Sequence, residues 1–186
     1  LYTEYYPINS SIDRIAKDVA EVCYAIKIKH KRIPRSTQLI SILRLIDSVI
    51  NPMRNTKGAI AEVKTGEGKS FLLAIITIVL IKFGRKVDIV TTSIPLAQRD
   101  EEDQRKYYSL FNIKSGVLFS DKEIPHFEGS IFYNKNTKFN SGFNTEILSY
   151  PIVYSTNSNF EFVYLYSLFA KVPLRDSKIR PYDIVL

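Results

Sequence analysis

A chain of 186 residues with 45% apolar and 24% charged side chains is long enough to bury one core and too apolar to be disordered. Its 26 Lys and Arg against 19 Asp and Glu leave a net charge of +7, which suits a polyanion (nucleic acid, anionic membrane or nucleotide phosphate) without choosing among them. A single cysteine, Cys23, excludes an internal disulfide and a cysteine-built metal cluster, and makes a reducing compartment the default.

Ser10 and Ser11 offer N-caps for a first helix over 12–28, where Ile12, Ile15, Ala16, Val19, Val22, Cys23 and Ile26 recur at helical spacing. The basic run Lys27-Ile28-Lys29-His30-Lys31-Arg32 that follows reads as a solvated helix end. A second helix is expected over 37–50, with Leu39, Ile42, Leu43 and Ile46 on one face and Asn51-Pro52 as its stop. Ala59 to Val63 reads as a short strand, followed by a glycine-containing loop and a helix over 70–83 that Gly84 ends. Its apolar run, Phe71 to Ile81, is shorter than the ~20 residues a bilayer needs, so a buried helix is expected.

Val87 to Thr92 is rich in β-branched residues and reads as a strand. Pro95 opens a helix reaching to about Phe111, with Glu101, Glu102 and Asp103 expected early enough in it to meet the positive end of its dipole. The next strand is expected at 116–119. Residues 120–150, crowded with Asn, Lys, Ser and Gly, are expected as an exposed loop insertion. A strand over 151–154, a helix over 157–170 and a final strand over 182–186 complete the chain. The aromatic set Tyr154, Phe160, Phe162, Tyr164, Tyr166 and Phe169 is expected to be core packing rather than a base-stacking platform. Strand and helix alternate through the second half, which predicts an α/β fold with a parallel sheet covered on both faces. The chain begins with Leu1 and ends in what reads as a strand cut short, so part of a longer protein is expected.

The chemistry concentrates in Ala61-Glu62-Val63-Lys64-Thr65-Gly66-Glu67-Gly68-Lys69-Ser70, between a predicted strand and a predicted helix. Gly66 and Gly68 let the backbone turn sharply and approach a ligand, so that successive N–H groups point inward as an anion-binding nest. The helix dipole adds to that field, the Lys69 ammonium reaches the β- and γ-phosphates, and the Ser70 hydroxyl ligates Mg²⁺. Val63 stands where the usual G-x-x-x-x-G-K-[ST] pattern has its first glycine. The strand and apolar helix that the motif requires are both expected around it.

Lys64-Thr65-Gly66-Glu67-Gly68-Lys69-Ser70 resembles the phosphate loop of SecA motors, which carry a T-G-E-G-K-[ST] string after a lysine. Leu96-Ala97-Gln98-Arg99-Asp100 is similar to their L-A-x-R-D helix start, where DEAD-box helicases have P-T-R-E-L. Ile152 to Phe162 is similar to their I-x-Y-G-T-N-x-E-F string, with Ser155 in place of the glycine. Arg35-Ser36-Thr37-Gln38-Leu39-Ile40 corresponds to the stretch holding the adenine-recognising Gln.

The resemblance implies a three-layer P-loop NTPase core of RecA-like, DEAD-like architecture, with a mostly parallel sheet preceded by N-terminal helices. It divides the chain into an N-terminal helical segment, 1–34, and a first nucleotide-binding motor domain, 35–186, incomplete at its C-terminal end. It places ATP on Gln38, Lys64, Thr65, Gly66, Glu67, Gly68, Lys69 and Ser70, with Mg²⁺ on the Ser70 hydroxyl, and further motif contacts at Arg99, Asp100, Thr156 and Asn157. The Gln38 role has a physical basis, since a planar amide pairs two-point with adenine N6 and N7.

Asp183-Ile184-Val185-Leu186 would lead into an acidic D-E-x-D motif. The partners implied are a polypeptide substrate, a translocation channel or membrane surface, and a second motor domain, in a cytoplasmic protein peripheral to a membrane. Two alternatives stay open: a nucleic-acid helicase core, and a non-catalytic nucleotide-sensing module.

Overall fold

The computed structural model describes residues 11–50, 59–126, 129–130, 133, 135–136, 138–139, 142–169 and 184–185. The expected cap at Ser10, the stop at Asn51-Pro52 and the flanks of the last strand lie outside them. The chain divides into two compact units, Leu1–Phe83 and Gly84–Leu186, a different cut from the 34/35 division expected from the sequence.

In the first unit α1 (Ser11–His30), α2 (Ser36–Ile50) and α3 (Lys69–Lys82) pack on one another. α1 turns Ile15, Val19, Val22 and Ile26 inward, while Ile12 is 62% exposed, so the buried stripe is narrower than its apolar pattern. α2 buries Ile42 and Ile46. α3 is apolar all round and buries nearly every residue from Phe71 to Leu80, as expected of an interior helix. The Lys82 ammonium ties the end of α3 to α1, 3.1 Å from Asp18 Oδ1 and 2.6 Å from Glu21 Oε2. Residues 59–63 do not form the expected strand: no strand is assigned there and Ile60 is 103% exposed. An extended segment becomes a strand only through a neighbour's backbone hydrogen bonds, and no strand is assigned elsewhere among the described residues of the first unit.

The second unit holds β1 (Val87–Thr91), α4 (Ile94–Tyr108), β2 (Ser115–Val117), β3 (Ile152–Thr156), α5 (Asn157–Phe169) and β4 (Ile184–Val185). The strands form a parallel sheet in the order β2-β3-β1-β4. Consecutive residues of β3 point to opposite faces. Tyr154 meets Tyr108 of α4, hydroxyl to hydroxyl at 2.5 Å. Val153 instead joins a buried cluster with Phe160 and Val163 of α5. The two helices therefore cover opposite faces of the sheet, which gives the three layers of an α/β core.

Three sequence expectations are corrected here. The 120–150 stretch is not uniformly exposed, because Phe143, Asn144, Ile147 and Leu148 are buried. Its apolar residues complete the core over β2, which a reading of its polar composition overlooks. The aromatic set divides: Tyr154 and Phe160 are buried, whereas Phe162, Tyr164 and Phe169 are exposed at 50%, 38% and 81%. A helix laid on a sheet buries one stripe, and in α5 that stripe is Asn159, Phe160 and Val163. The acidic cluster is not in the first turn of α4, which holds no acid. Glu101 is fully buried in mid-helix, ion-paired to Arg105 one turn on and accepting the Ser115 hydroxyl of β2.

Candidate functional site

Gly66 at φ 83° and Gly68 at φ 76° take the left-handed backbone that glycine alone adopts without strain. Between them the Glu67 N–H turns back to Lys64 O at 3.1 Å. The hydrogen-bond ladder of α3 starts with the Phe71 and Leu72 N–H groups, which donate to Gly68 O at 3.0 and 3.1 Å. The amides ahead of them, on Gly68, Lys69 and Ser70, have no intrahelical acceptor by the geometry of a helix start. They crown the positive end of the α3 dipole. Lys69 and Ser70 are the first two residues of α3, and both are exposed.

A second element meets this loop. Arg35 precedes the first residue of α2, and its carbonyl accepts the Leu39 N–H at 2.9 Å. Its own N–H donates to Gln38 Oε1 at 2.8 Å, the reach-back half of a capping box. The other end of the same amide donates Nε2–H to Glu67 O at 2.6 Å. Gln38 therefore bridges the start of α2 to the loop. The Arg35 guanidinium reinforces the bridge, with Nη1 3.1 Å from Glu67 Oε2. Gly68 is crowded as well as left-handed: a Cβ there would lie 3.2 Å from Gln38 Nε2 and 3.6 Å from Arg32 Nη2. The Arg32 guanidinium in turn stacks 4.1 Å from the centroid of Phe71.

The remaining sequence-predicted residues belong to the second unit. Arg99 and Asp100 pair with each other, the Arg99 Nε and Nη2 lying 3.1 and 2.8 Å from Asp100 Oδ1, and that carboxylate raises the Arg99 pKa further. Thr156 Oγ1 accepts the Asn159 N–H at 3.4 Å as an N-cap of α5, and Asn157 Nδ2 donates to Glu161 Oε1 at 2.7 Å. Thr91 and Thr156 face each other in register at the carboxyl ends of β1 and β3. The starts of α4 and α5 thus share the sheet edge where open α/β folds bind ligands.

Residues 5–181 match the SecA DEAD-like domain. The chain belongs to that family. Among its relatives, a protein translocase subunit SecA of Lawsonia intracellularis is 35% identical over 91 residues, 47% of this chain and 11% of that protein. One from Cupriavidus metallidurans is 33% identical over 106 residues, 57% of the chain and 10% of the relative. One from Sulfurimonas denitrificans is 30% identical over 131 residues, 70% of the chain and 13% of the relative. The matched part thus spans about a tenth of the length of these SecA proteins.

As a SecA DEAD-like domain, the chain carries its phosphate-loop string and its candidate adenine-reading Gln38 together within the first compact unit. Two cations beside the loop, Arg32 and Arg35, received no role from the sequence. Arg35 lies 32 positions from Glu67 and Arg32 lies 36 from Gly68, so no local spacing links them. The one available signal is chemical: Glu67 is an acid inside a candidate anion-binding loop, and such a charge calls for a cation nearby.

Proposed function

We propose that Gln38 and Lys64–Ser70 form an ATP site, and that the whole protein couples ATP binding and hydrolysis to the movement of a polypeptide. The observation carrying this reading is the left-handed pair Gly66 and Gly68 leading into α3 with Lys69 first. A helix start of this kind supports the reading because it brings unpaired amides, a helix dipole and a lysine together in one short segment. The donor set fits a triphosphate: it offers hydrogen-bond donors and positive charge, and the crowded glycine keeps the backbone accessible. Gln38 still has one N–H and one lone pair beyond its two internal bonds, which suffices for two-point recognition of an adenine edge.

Ser70 is the residue here that would ligate Mg²⁺, with phosphate oxygens and water completing the shell. When bound, Mg²⁺ neutralises charge on the phosphate oxygens. Phosphoryl transfer is mostly positioning and electrostatic stabilisation, and this chain's contribution is the cradle. The family reading implies water-activating acids and a second motor domain that would complete the enzyme. Lys64 and Thr65 lead into the cradle, Arg99, Asp100, Thr156 and Asn157 serve contacts at the sheet edge, and the partners are a polypeptide and a translocation channel or membrane surface. The reading places the protein in the cytoplasm, peripheral to a membrane.

The test is titration with a fluorescent ATP analogue and Mg²⁺. Lys69→Ala should weaken binding about 10- to 100-fold, the loss of a charge-assisted hydrogen bond worth ~1.5–3 kcal/mol, and should abolish hydrolysis by the whole protein. Unchanged binding and turnover would overturn the assignment. Turnover of the whole protein stimulated by nucleic acid, with a steep salt dependence, would transfer it to the helicase reading that the net charge of +7 keeps in play.

A further inference from the structure

Within Lys64–Ser70 the Glu67 carboxylate offsets one of the two lysine charges, Lys64 and Lys69. A loop built to hold a triphosphate therefore carries one carboxylate that halves its own positive charge and repels the ligand. Arg35 reaches that carboxylate from the start of α2, Nη1 3.1 Å from Glu67 Oε2. The same turn of α2 holds the Glu67 carbonyl through Gln38 Nε2 at 2.6 Å. Glu67 is thus gripped at both its side chain and its backbone by residues three positions apart.

We propose that Arg35 is a positioning residue of the nucleotide site: it neutralises Glu67 and holds it aside, so that the loop presents the full charge of its lysines to the triphosphate. This rests on the ATP reading above. The pair is exposed, with side chains 71% and 47% accessible, so its direct contribution to fold stability is small. Its effect falls on the ligand. Without Arg35 the Glu67 carboxylate is uncompensated beside several negative charges of ATP, and that repulsion is felt within about 10 Å at moderate salt.

The experiment measures equilibrium binding of a fluorescent ATP analogue with Mg²⁺ to this chain and four variants, at ~0.1 M and ~0.5 M salt. Arg35→Ala should bind about three- to five-fold more weakly at the lower salt, with the deficit shrinking at the higher one. Arg35→Lys keeps the charge and should bind close to wild type. Glu67→Gln keeps the loop backbone and removes only the repelling carboxylate, so it should bind more tightly than wild type. The deciding variant is Arg35→Ala combined with Glu67→Gln, which should recover wild-type affinity, because no carboxylate remains to be neutralised. Arg35→Ala binding as tightly as wild type would overturn the proposal. So would a deficit that persists in the double variant, which is the result a merely structural Arg35 would give. Absence of saturable binding by the wild-type chain is a different failure, and would overturn the ATP reading and this inference together.

Discussion

Gln38 uses its amide twice inside the protein, accepting the Arg35 N–H at 2.8 Å and donating to Glu67 O at 2.6 Å. The two bonds can be separated by one atom. Gln38→Glu keeps an oxygen for the Arg35 N–H and so preserves the cap, but it sets a carboxylate oxygen against the Glu67 carbonyl. Two acceptors at that distance repel, and the loop must move off α2. The expected outcome is ATP affinity lowered about ten-fold, the loss of a ~1.5 kcal/mol interaction, with the helical circular dichroism signal unchanged. Helix loss in parallel with affinity would mean that the cap, and not the tether to the loop, is what the amide supplies.

Among the elements, the helix after the loop and the β1–α4 and β3–α5 units were legible within about three residues, the largest miss being the end of α4 at Tyr108, because apolar periodicity, Pro95 and Gly84 mark them locally. What could not be read depends on distant partners. Ala59–Val63 has strand-like residues, yet no strand forms because a ladder needs a neighbour. The 143–148 stretch looks like loop by composition, yet it packs under β2. Asn144 is the reason it stays there: its Oδ1 accepts the Phe119 N–H at 2.7 Å and its Nδ2 donates to Val117 O at 2.9 Å. The side chain is 1% exposed and satisfies backbone groups that a strand partner would otherwise take. At the candidate site, motif alone singled out the loop string and Gln38, which the fold brings into contact, while the Arg35 pairing, 32 positions apart in sequence, was not legible. Asn144→Ala leaves the Phe119 N–H and the Val117 carbonyl unpaired in the interior. It should lower unfolding free energy by about 2–4 kcal/mol, read as a lower urea midpoint. A change under ~0.5 kcal/mol would mean that the segment is held by its apolar packing alone.

At the scale of the whole molecule, Arg35 and Gln38, which bond to Glu67, and Arg32 beside Gly68 all belong to the first compact unit. The candidate residues at the sheet edge lie in the second. This division makes a prediction about where binding energy goes. A ligand that binds only the folded state stabilises it by RT ln(1 + [L]/Kd), about 2.7 kcal/mol at a hundred-fold excess over Kd. For a chain of this length, that amounts to a Tm rise of roughly 5–11 °C if unfolding is cooperative. Amide hydrogen exchange resolves the increment by position. With ATP and Mg²⁺, added protection should concentrate in the first turn of α2, in 64–70 and in the first two turns of α3, where the donors converge. The strands β1 and β3 should change little, because the amides that protect them are already committed to the sheet ladder. Equal protection across α4, α5 and the sheet would mean that Arg99, Asp100, Thr156 and Asn157 contact the nucleotide as directly as Lys69 does. The grip on ATP would then belong to both units and not to the phosphate loop and its α2 clamp.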